Sequence, residues 1–502
     1  MRLHSRNLTS IAMLLMAAVS LRLLGILSRP IWYDEAFAIL FSQKGLASML
    51  EGTMTASPYG AADIHPLGYY TLLWMWIGLA GNSIPAARIL SIFSNLISIL
   101  LLYLLLRDLF DKKSAYCGAF AASILPFQVH FAQEIRMYST LSMWLILAVY
   151  AYFKGRTGKW QWWIVYTVSS ALAQYTHNLA VVFLIVLAIT PVLERKLRIL
   201  RSTLLASSAA ILLYLPWGIH LPSQLAKIGS FYWVARPGLD RIFSLFLYYV
   251  TSLPLQDKFL IPGLFVSTVV ITLSIFYGIK SFIKDAPGGF GAAWLLYLAF
   301  SPPALLWLIS QFFPVYIERA LLPSHLAFCG WVGWVLVHSQ PSRLIRNTIL
   351  SLIILASING VYHHVTYQGF PYYPGAIIGR ELSSRIQSSD LVLHSRKLSY
   401  LPSLLESPGL NQGFIIDPPQ SNVDTLAPAT RKVLGLVEFT DIRSASRNVN
   451  RVWFVIYQKS IEETVHQGYK THPHLEYLGR NFSLVSVYTY GEVKIFLYSR
   501  LN

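Results

Sequence analysis

The sequence predicts a mainly α-helical, polytopic membrane protein of about eleven transmembrane helices, with interfacial helices in its outer loops and a small α/β domain at the C-terminal end. Three observations predict it. First, the 502 residues are 55% hydrophobic and only 13% charged, and mean hydropathy is +0.50, far from a soluble domain. Second, apolar runs long enough to cross a hydrocarbon core of roughly 30 Å alternate with short basic clusters such as RDLFDKK, KGRTGK and ERKLRILRS. Third, the composition turns soluble near Pro371, where DLVLHSR, GFIIDPP and RVWFVIYQ read as strands and SLVSVYTYGEVKIFLYSR as a hairpin turning near Gly491.

The first span is Leu8–Leu27, with a basic Met1–Arg6 ahead of it. No small-residue cleavage site follows, so it reads as a retained helix with its N-terminus in the cytoplasm. Arg22 within it is expected to snorkel outward. The outer loop opens with RPIWYDEAFAIL, where Trp32 and Tyr33 suit the interface and Asp34 is expected to cap an interfacial helix. Pro66–Ala80 reads as a second interfacial helix, too short and aromatic to span comfortably. Spans are then expected at Pro85–Leu106, Ser114–Phe131, Leu141–Phe153, Trp160–Thr176, Leu179–Leu193 and Leu204–Leu221. A third interfacial helix is expected in FYWVARPGLDRIFSLFLYY, before spans at Phe259–Ile279, Phe290–Phe313, Leu321–Val337 and Thr348–Val365. Each short basic loop then falls on one side, and the tail falls on the other. The expected domains are 1–370, in the membrane, and 371–502, outside it.

The formal net charge of +17 is carried by these loop clusters, which membrane topology explains; nucleic acid is excluded as a partner. Cys117 and Cys329 both lie in apolar segments, so neither a disulfide framework nor a thiolate metal site is indicated. No residues carry metal-ligand spacing, and neither a metal nor a cofactor is expected. The tail has no glycine-rich phosphate loop and no nucleophile elbow.

This topology is drawn from apolar runs and basic loops alone, yet it gathers acids, arginines and histidines on one side. Asp34, Glu35, Asp63 and His65 fall in the first outer loop, Glu134, Arg136 and Tyr138 in the second, His177 in the third and Glu318 with Arg319 in a later one. Taken singly, His177 reads equally as a satisfied core histidine, Glu318 as a salt-bridge partner, and Asp34 with Glu35 as a cap plus a solvated charge. Together, held against a bilayer, they mark a site. Carboxylates beside arginines suit removal of a group from a phosphate carried by a membrane lipid. One carboxylate serves as base toward an acceptor hydroxyl, while arginines hold the departing phosphate in charge-assisted hydrogen bonds. Asp34 and Glu35 lie about 100° apart on a helix, so one of them faces the reacting centre.

WYDEAFAI after the first span, D-x-HPLGYY, QEIRMYS, YTHNLA and the Glu318–Arg319 pair together resemble the membrane glycosyltransferases of the GT-C superfamily. The family 39 group is the nearest, similar to dolichyl-phosphate-mannose protein mannosyltransferases and lipid A aminoarabinose transferases. The resemblance covers about Leu8–Val337. It implies an inverting transfer of a hexosyl or pentosyl group from a polyprenyl-phosphate donor to a glycan, lipid or protein acceptor on the outer face of the membrane. A bacterial plasma membrane is expected, although an ER protein would orient its outer loops to the lumen in the same way. It further implies Asp34 as catalytic base, with Glu35 beside it and Glu134 on the acceptor side. His65, Arg136, Tyr138, His177 and Arg319 would bind donor phosphate or substrate. His65 stands where relatives often carry lysine, and HPL where a double proline is common. The alternative is a transporter or flippase of lipid-linked sugars, which would show paired broken helices in two halves.

Overall fold

The computed structural model describes residues 2–57, 60–230, 233–339, 342–418, 421 and 423–501. Phe231 and Tyr232 of the expected third interfacial helix, and Pro419 of GFIIDPP, lie outside the described residues. Helix α1 (Arg2–Leu23) is followed by α2 (Tyr33–Ser42), α3 (Gly45–Met54), a β1–β2 pair (Ala56–Ser57, Gly60–Ala61) and α4 (Gly68–Ala80). Next come α5 (Ile84–Leu109), α6 (Lys112–Ile124), α7 (Pro126–Ala132), α8 (Tyr138–Gly155), α9 (Gln161–Thr176), α10 (Ala180–Leu193) and α11 (Leu197–Gly218). Then follow α12 (Leu221–Ser230), α13 (Asp240–Val250), α14 (Asp257–Ile283), α15 (Gly289–Ile309), a 3₁₀ turn (Glu318–Leu321), α16 (Leu322–His338) and α17 (Arg343–Thr366).

Among the described residues, six helices are long and apolar enough to cross a membrane, or seven if the bent pair α6–α7 counts as one span. The other expected spans correspond to shorter helices, such as α9 with 16 residues and α10 with 14. The third interfacial helix begins only at Asp240, because Pro237 and Gly238 precede it.

The chain divides into two compact units, one made of Met1–Leu27, His65–Ile228 and Val234–Thr366. Its core helix is α16, buried along nearly its whole length. Small residues allow this: a Cβ on Gly333 would stand 2.5 Å from the Gly118 backbone nitrogen, so α6 and α16 touch backbone to backbone.

Between α6 and α7 the chain bends by 58° at Pro126. Proline has no N–H to give the Ala122 carbonyl, and the break frees the neighbouring carbonyl as well. Arg22 fills that gap. Its guanidinium donates to the carbonyls of Ala122 (3.2 Å), Ser123 (2.8 Å) and Ala18 (3.0 Å) and to Asn95 Oδ1 (2.7 Å). Arg22 is 0% exposed, which corrects the snorkelling expectation: the freed carbonyls offer the charge more than the interface does. Asn95 passes the network to Gln128, and Gln128 to His325 and the Leu322 carbonyl.

The second unit comprises Ser28–Ile64, Gly229–Trp233 and Tyr367–Asn502. Beyond the membrane helices it runs α18 (Gly375–Arg385), β3 (Leu391–His394), α19 (Lys397–Glu406), β4 (Gln412–Ile415), α20 (Pro428–Leu434), β5 (Glu438–Phe439), α21 (Ile442–Ser446), β6 (Arg451–Tyr457), α22 (Gln458–His466), α23 (Pro473–Asn481), β7 (Phe482–Tyr490) and β8 (Val493–Arg500). The six strands form one sheet in the order β5-β4-β3-β6-β8-β7. Strands β3 to β6 pair in parallel, and β8 closes antiparallel on β6. The central strands are buried on both faces, as their unbroken apolar runs require. The expected hairpin is β7–β8, with Gly491 at a φ of 58°. The two-residue β5 is too short for a sequence signal.

The first outer loop folds into this unit. The Tyr373 N–H donates to the Ile31 carbonyl (2.8 Å), and Arg29 bonds the Tyr372 hydroxyl. Helix α2 packs on α19 and α3 on α20, where Thr430 donates to the Gly52 carbonyl (2.8 Å).

Candidate active site

The expected site residues divide between the two units. In the second unit, Asp34 and Glu35 occupy the first turn of α2, where the helix dipole favours a carboxylate. The N-cap is Trp32, with no side-chain cap, so Asp34 is not the capping residue expected: the helix begins two residues earlier than the apolar pattern implies. The two acids differ in environment. Glu35 is fully buried, whereas Asp34 is half-buried. Asp63 accepts the Ile64 N–H (2.6 Å).

In the first unit, Arg319 and His177 meet at Tyr138, and His65 and Arg136 act on His177. The Tyr138 ring opens α8 directly after the QEIR turn. The Arg319 guanidinium lies over it at 5.2 Å, and the His177 ring stands 5.9 Å away. His65 meets His177 edge-on at 6.0 Å. Arg136, 3% exposed, donates to the Tyr70 hydroxyl (3.0 Å). These side chains come from four loops, and local features fix each. Gly68 opens α4 where a Cβ would stand 2.5 Å from the Tyr175 carbonyl oxygen, so only glycine lets HPLG lie against the end of α9. Ser91 donates to the Glu134 carbonyl (2.6 Å) and Ser139 to that of Phe131 (2.8 Å), pinning the QEIR turn.

His177 terminates α9, and its Nδ1 accepts the Leu179 N–H (3.0 Å). Its proton therefore sits on Nε2, which is buried with no hydrogen-bond partner. Burial, then the charges of His65, Arg136 and Arg319, hold the ring well below the usual histidine range. The result is a neutral imidazole presenting an N–H among cations, an arrangement suited to a phosphate or hydroxyl oxygen.

Glu318 is the salt-bridge partner expected: Arg241 of α13 binds its carboxylate at 2.6 Å. That pair ties α13 to the turn carrying Arg319. Tyr248 lies two turns beyond Arg241 on the same face of α13. Burial pushes its phenol up, and Glu318, Arg319, Glu134 and Arg241 all act on it. Sequence reasoning missed Arg241 and Tyr248, although FYWVARPGLDRIFSLFLYY was read as an outer helix. It missed His130 as well, whose i,i+4 spacing from Glu134 was a readable signal. His130 Nε2 stands 3.7 Å from Glu134 Oε1. Among the described residues, no three His, Cys, Asp or Glu side chains gather so as to hold a metal ion.

Residues 64–220, which hold His65, Glu134, Arg136, Tyr138 and His177, match the family model described as dolichyl-phosphate-mannose-protein mannosyltransferase. ArnT from Cupriavidus metallidurans in the apo state superposes with a TM-score of 0.64 at 11% identity, over 97% of both chains. The chain shares its fold with ArnT. ArnT bound to undecaprenyl phosphate gives a TM-score of 0.62 at 12% identity, over 98% of both chains. The oligosaccharyltransferase AglB from Archaeoglobus fulgidus, in complex with an inhibitory peptide and a dolichol-phosphate, gives 0.51 at 12% identity, over 98% of this chain and 74% of that one. No curated protein matches the sequence significantly. The likeness to ArnT thus extends over residues of both units, while the family model covers only the helices from α4 to α11.

Proposed function

We propose that this integral membrane protein is an inverting glycosyltransferase that moves a sugar from a polyprenyl-phosphate donor to an acceptor hydroxyl on the outer face of the bacterial plasma membrane. The observation that carries the reading is the Arg136–Tyr138–His177–Arg319 cluster, in which the Arg319 guanidinium and the neutral His177 imidazole meet the Tyr138 ring and the Arg136 charge acts on His177. Such a group binds a phosphate through charge-assisted bonds as the glycosyl bond breaks. A fold shared with a protein that binds undecaprenyl phosphate supports the lipid-linked donor. In this reading Asp34 is the general base, taking the acceptor's proton as its oxygen attacks the anomeric carbon from the face opposite the phosphate. The carbon–phosphate oxygen bond breaks, and its electron pair leaves on the phosphate. Arg136 and Arg319 stabilise that charge, His65 and His177 contact substrate, and Glu134 shapes the acceptor side. A glycan, lipid or protein supplies the hydroxyl.

In a strain lacking the protein, one polyprenyl-phosphate-linked sugar should accumulate while a surface glycoconjugate loses that sugar, read by mass spectrometry of extracted lipids and envelope glycans. An unchanged set of both would contradict the reading. The basic loops support a topology in which 1–370 is a domain of about eleven spans and 371–502 lies outside with Asp34. A reporter fused after Asn502 should be active only if it works outside the cytoplasm; cytoplasmic activity would invert the topology.

A further inference from the structure

We infer that Tyr248 of α13 contacts the transferred sugar, its phenol hydrogen-bonding a hydroxyl of the ring that the lipid phosphate carries. This rests on the reading of the Tyr138 cluster as the phosphate site. A row of rings leads from that cluster to Tyr248: Tyr138 stands 5.8 Å from Phe131, Phe131 5.2 Å from Phe127, and Phe127 5.1 Å from Tyr248. Phe127 is fully buried, with His325 edge-on to it at 5.3 Å, so the Tyr248 ring has a fixed backing. The hydroxyl differs from those of other tyrosines nearby. Tyr70 accepts from Arg136, and the adjacent Tyr249 donates to the Ala299 carbonyl (2.6 Å). Tyr248 is only partly buried and, among the described residues, makes no hydrogen bond. An anchored ring with an open hydroxyl is fitted to meet a ligand that is apolar on one side and polar on the other.

The charges at the two ends of this row differ. Those acting on His177, against Tyr138, are His65, Arg136 and Arg319; those acting on Tyr248 are Arg319 and Arg241 together with Glu318 and Glu134. An anion is therefore drawn to the first end and gains little at the second, where acids and bases balance. Uncharged hydroxyls suit the second end, because carboxylates accept from them and a protonated phenol both donates and accepts. Arg319 acts at both ends, so the two adjoin, as a sugar bonded directly to a phosphate requires. The Arg241–Glu318 ion pair at 2.6 Å holds α13, and Tyr248 with it, to the turn that carries Arg319.

Tyr248→Phe keeps the ring on Phe127 and breaks no hydrogen bond within the protein, so its unfolding temperature should match that of wild type. The full-length purified protein, without acceptor, is offered lipid extracted from a strain lacking the protein together with added undecaprenyl phosphate, and the retained lipids are measured by mass spectrometry. Tyr248→Phe should retain undecaprenyl phosphate as wild type does but the sugar-linked lipid about 3- to 10-fold more weakly, the loss expected for one neutral hydrogen bond. Equal retention of the sugar-linked lipid by both proteins overturns the inference and leaves the proposed function standing, with Tyr248 free to serve the acceptor instead. Weaker retention of both lipids also overturns it, because the contact would then be to the phosphate or the packing. A wild type that retains neither lipid contradicts the proposed function itself, and this inference with it.

Discussion

Replacing Asp34 with Asn should lower turnover by about 10²–10⁴-fold, the usual loss when a general base is removed. The change keeps the size of the side chain and its place in the first turn of α2, where no side-chain cap depends on it. It removes only the ability to take a proton. Donor binding should change little, because neutralising an acid near a phosphate removes repulsion rather than attraction. Glu35→Gln should reduce turnover less, since Glu35 is fully buried while Asp34 keeps partial exposure toward an arriving acceptor. Its larger effect should be on thermal stability. If Glu35→Gln is inactive and Asp34→Asn is not, the base is Glu35.

The arginines should show the opposite pattern. Arg136→Ala and Arg319→Ala should each weaken binding of undecaprenyl phosphate, measured with the purified protein in detergent, by about 10- to 150-fold. That is the equivalent of the roughly 1.5–3 kcal/mol carried by a hydrogen bond to a charged group. Arg136 should be the more sensitive: it is 3% exposed, and its truncation also removes its hydrogen bond to the Tyr70 hydroxyl. Lysine at either position should restore binding only in part, because a point charge cannot reproduce the planar fork of a guanidinium. Wild-type binding in both alanine variants would remove these residues from the phosphate site.

Much of this was legible in the sequence because a bilayer makes its demands readable. Basic loops and apolar runs located α5, α14 and α17 within a few residues, and the unbroken LVLH and VWFVIY runs located β3 and β6. The gathering of His65, Arg136, Tyr138, His177 and Arg319 was readable for the same reason: polar side chains on one side of a membrane protein have few other places to go. What escaped depended on partners distant in sequence. Arg22 looked like a snorkelling arginine because nothing nearby announces that Pro126, more than a hundred residues later, frees two carbonyls for it. The His130–His364 bond joins residues 234 apart, and no local pattern encodes it. Arg241 and Tyr248 were hidden by the amphipathic character of α13, which explains those residues adequately until Glu318 is found against the same face. The N-cap of α2 was misplaced by two residues, a difference that apolar spacing does not resolve.

The most direct measurement is the release of free polyprenyl monophosphate. Lipid extracted from a strain lacking the protein, and so enriched in the lipid-linked sugar, is mixed with proteoliposomes of wild type or Asp34→Asn and envelope acceptor fractions, then analysed by mass spectrometry. Wild type should convert the lipid-linked sugar to polyprenyl monophosphate and Asp34→Asn should leave it intact while still binding it. An unchanged lipid with wild-type protein, or equal conversion by both proteins, would contradict the account.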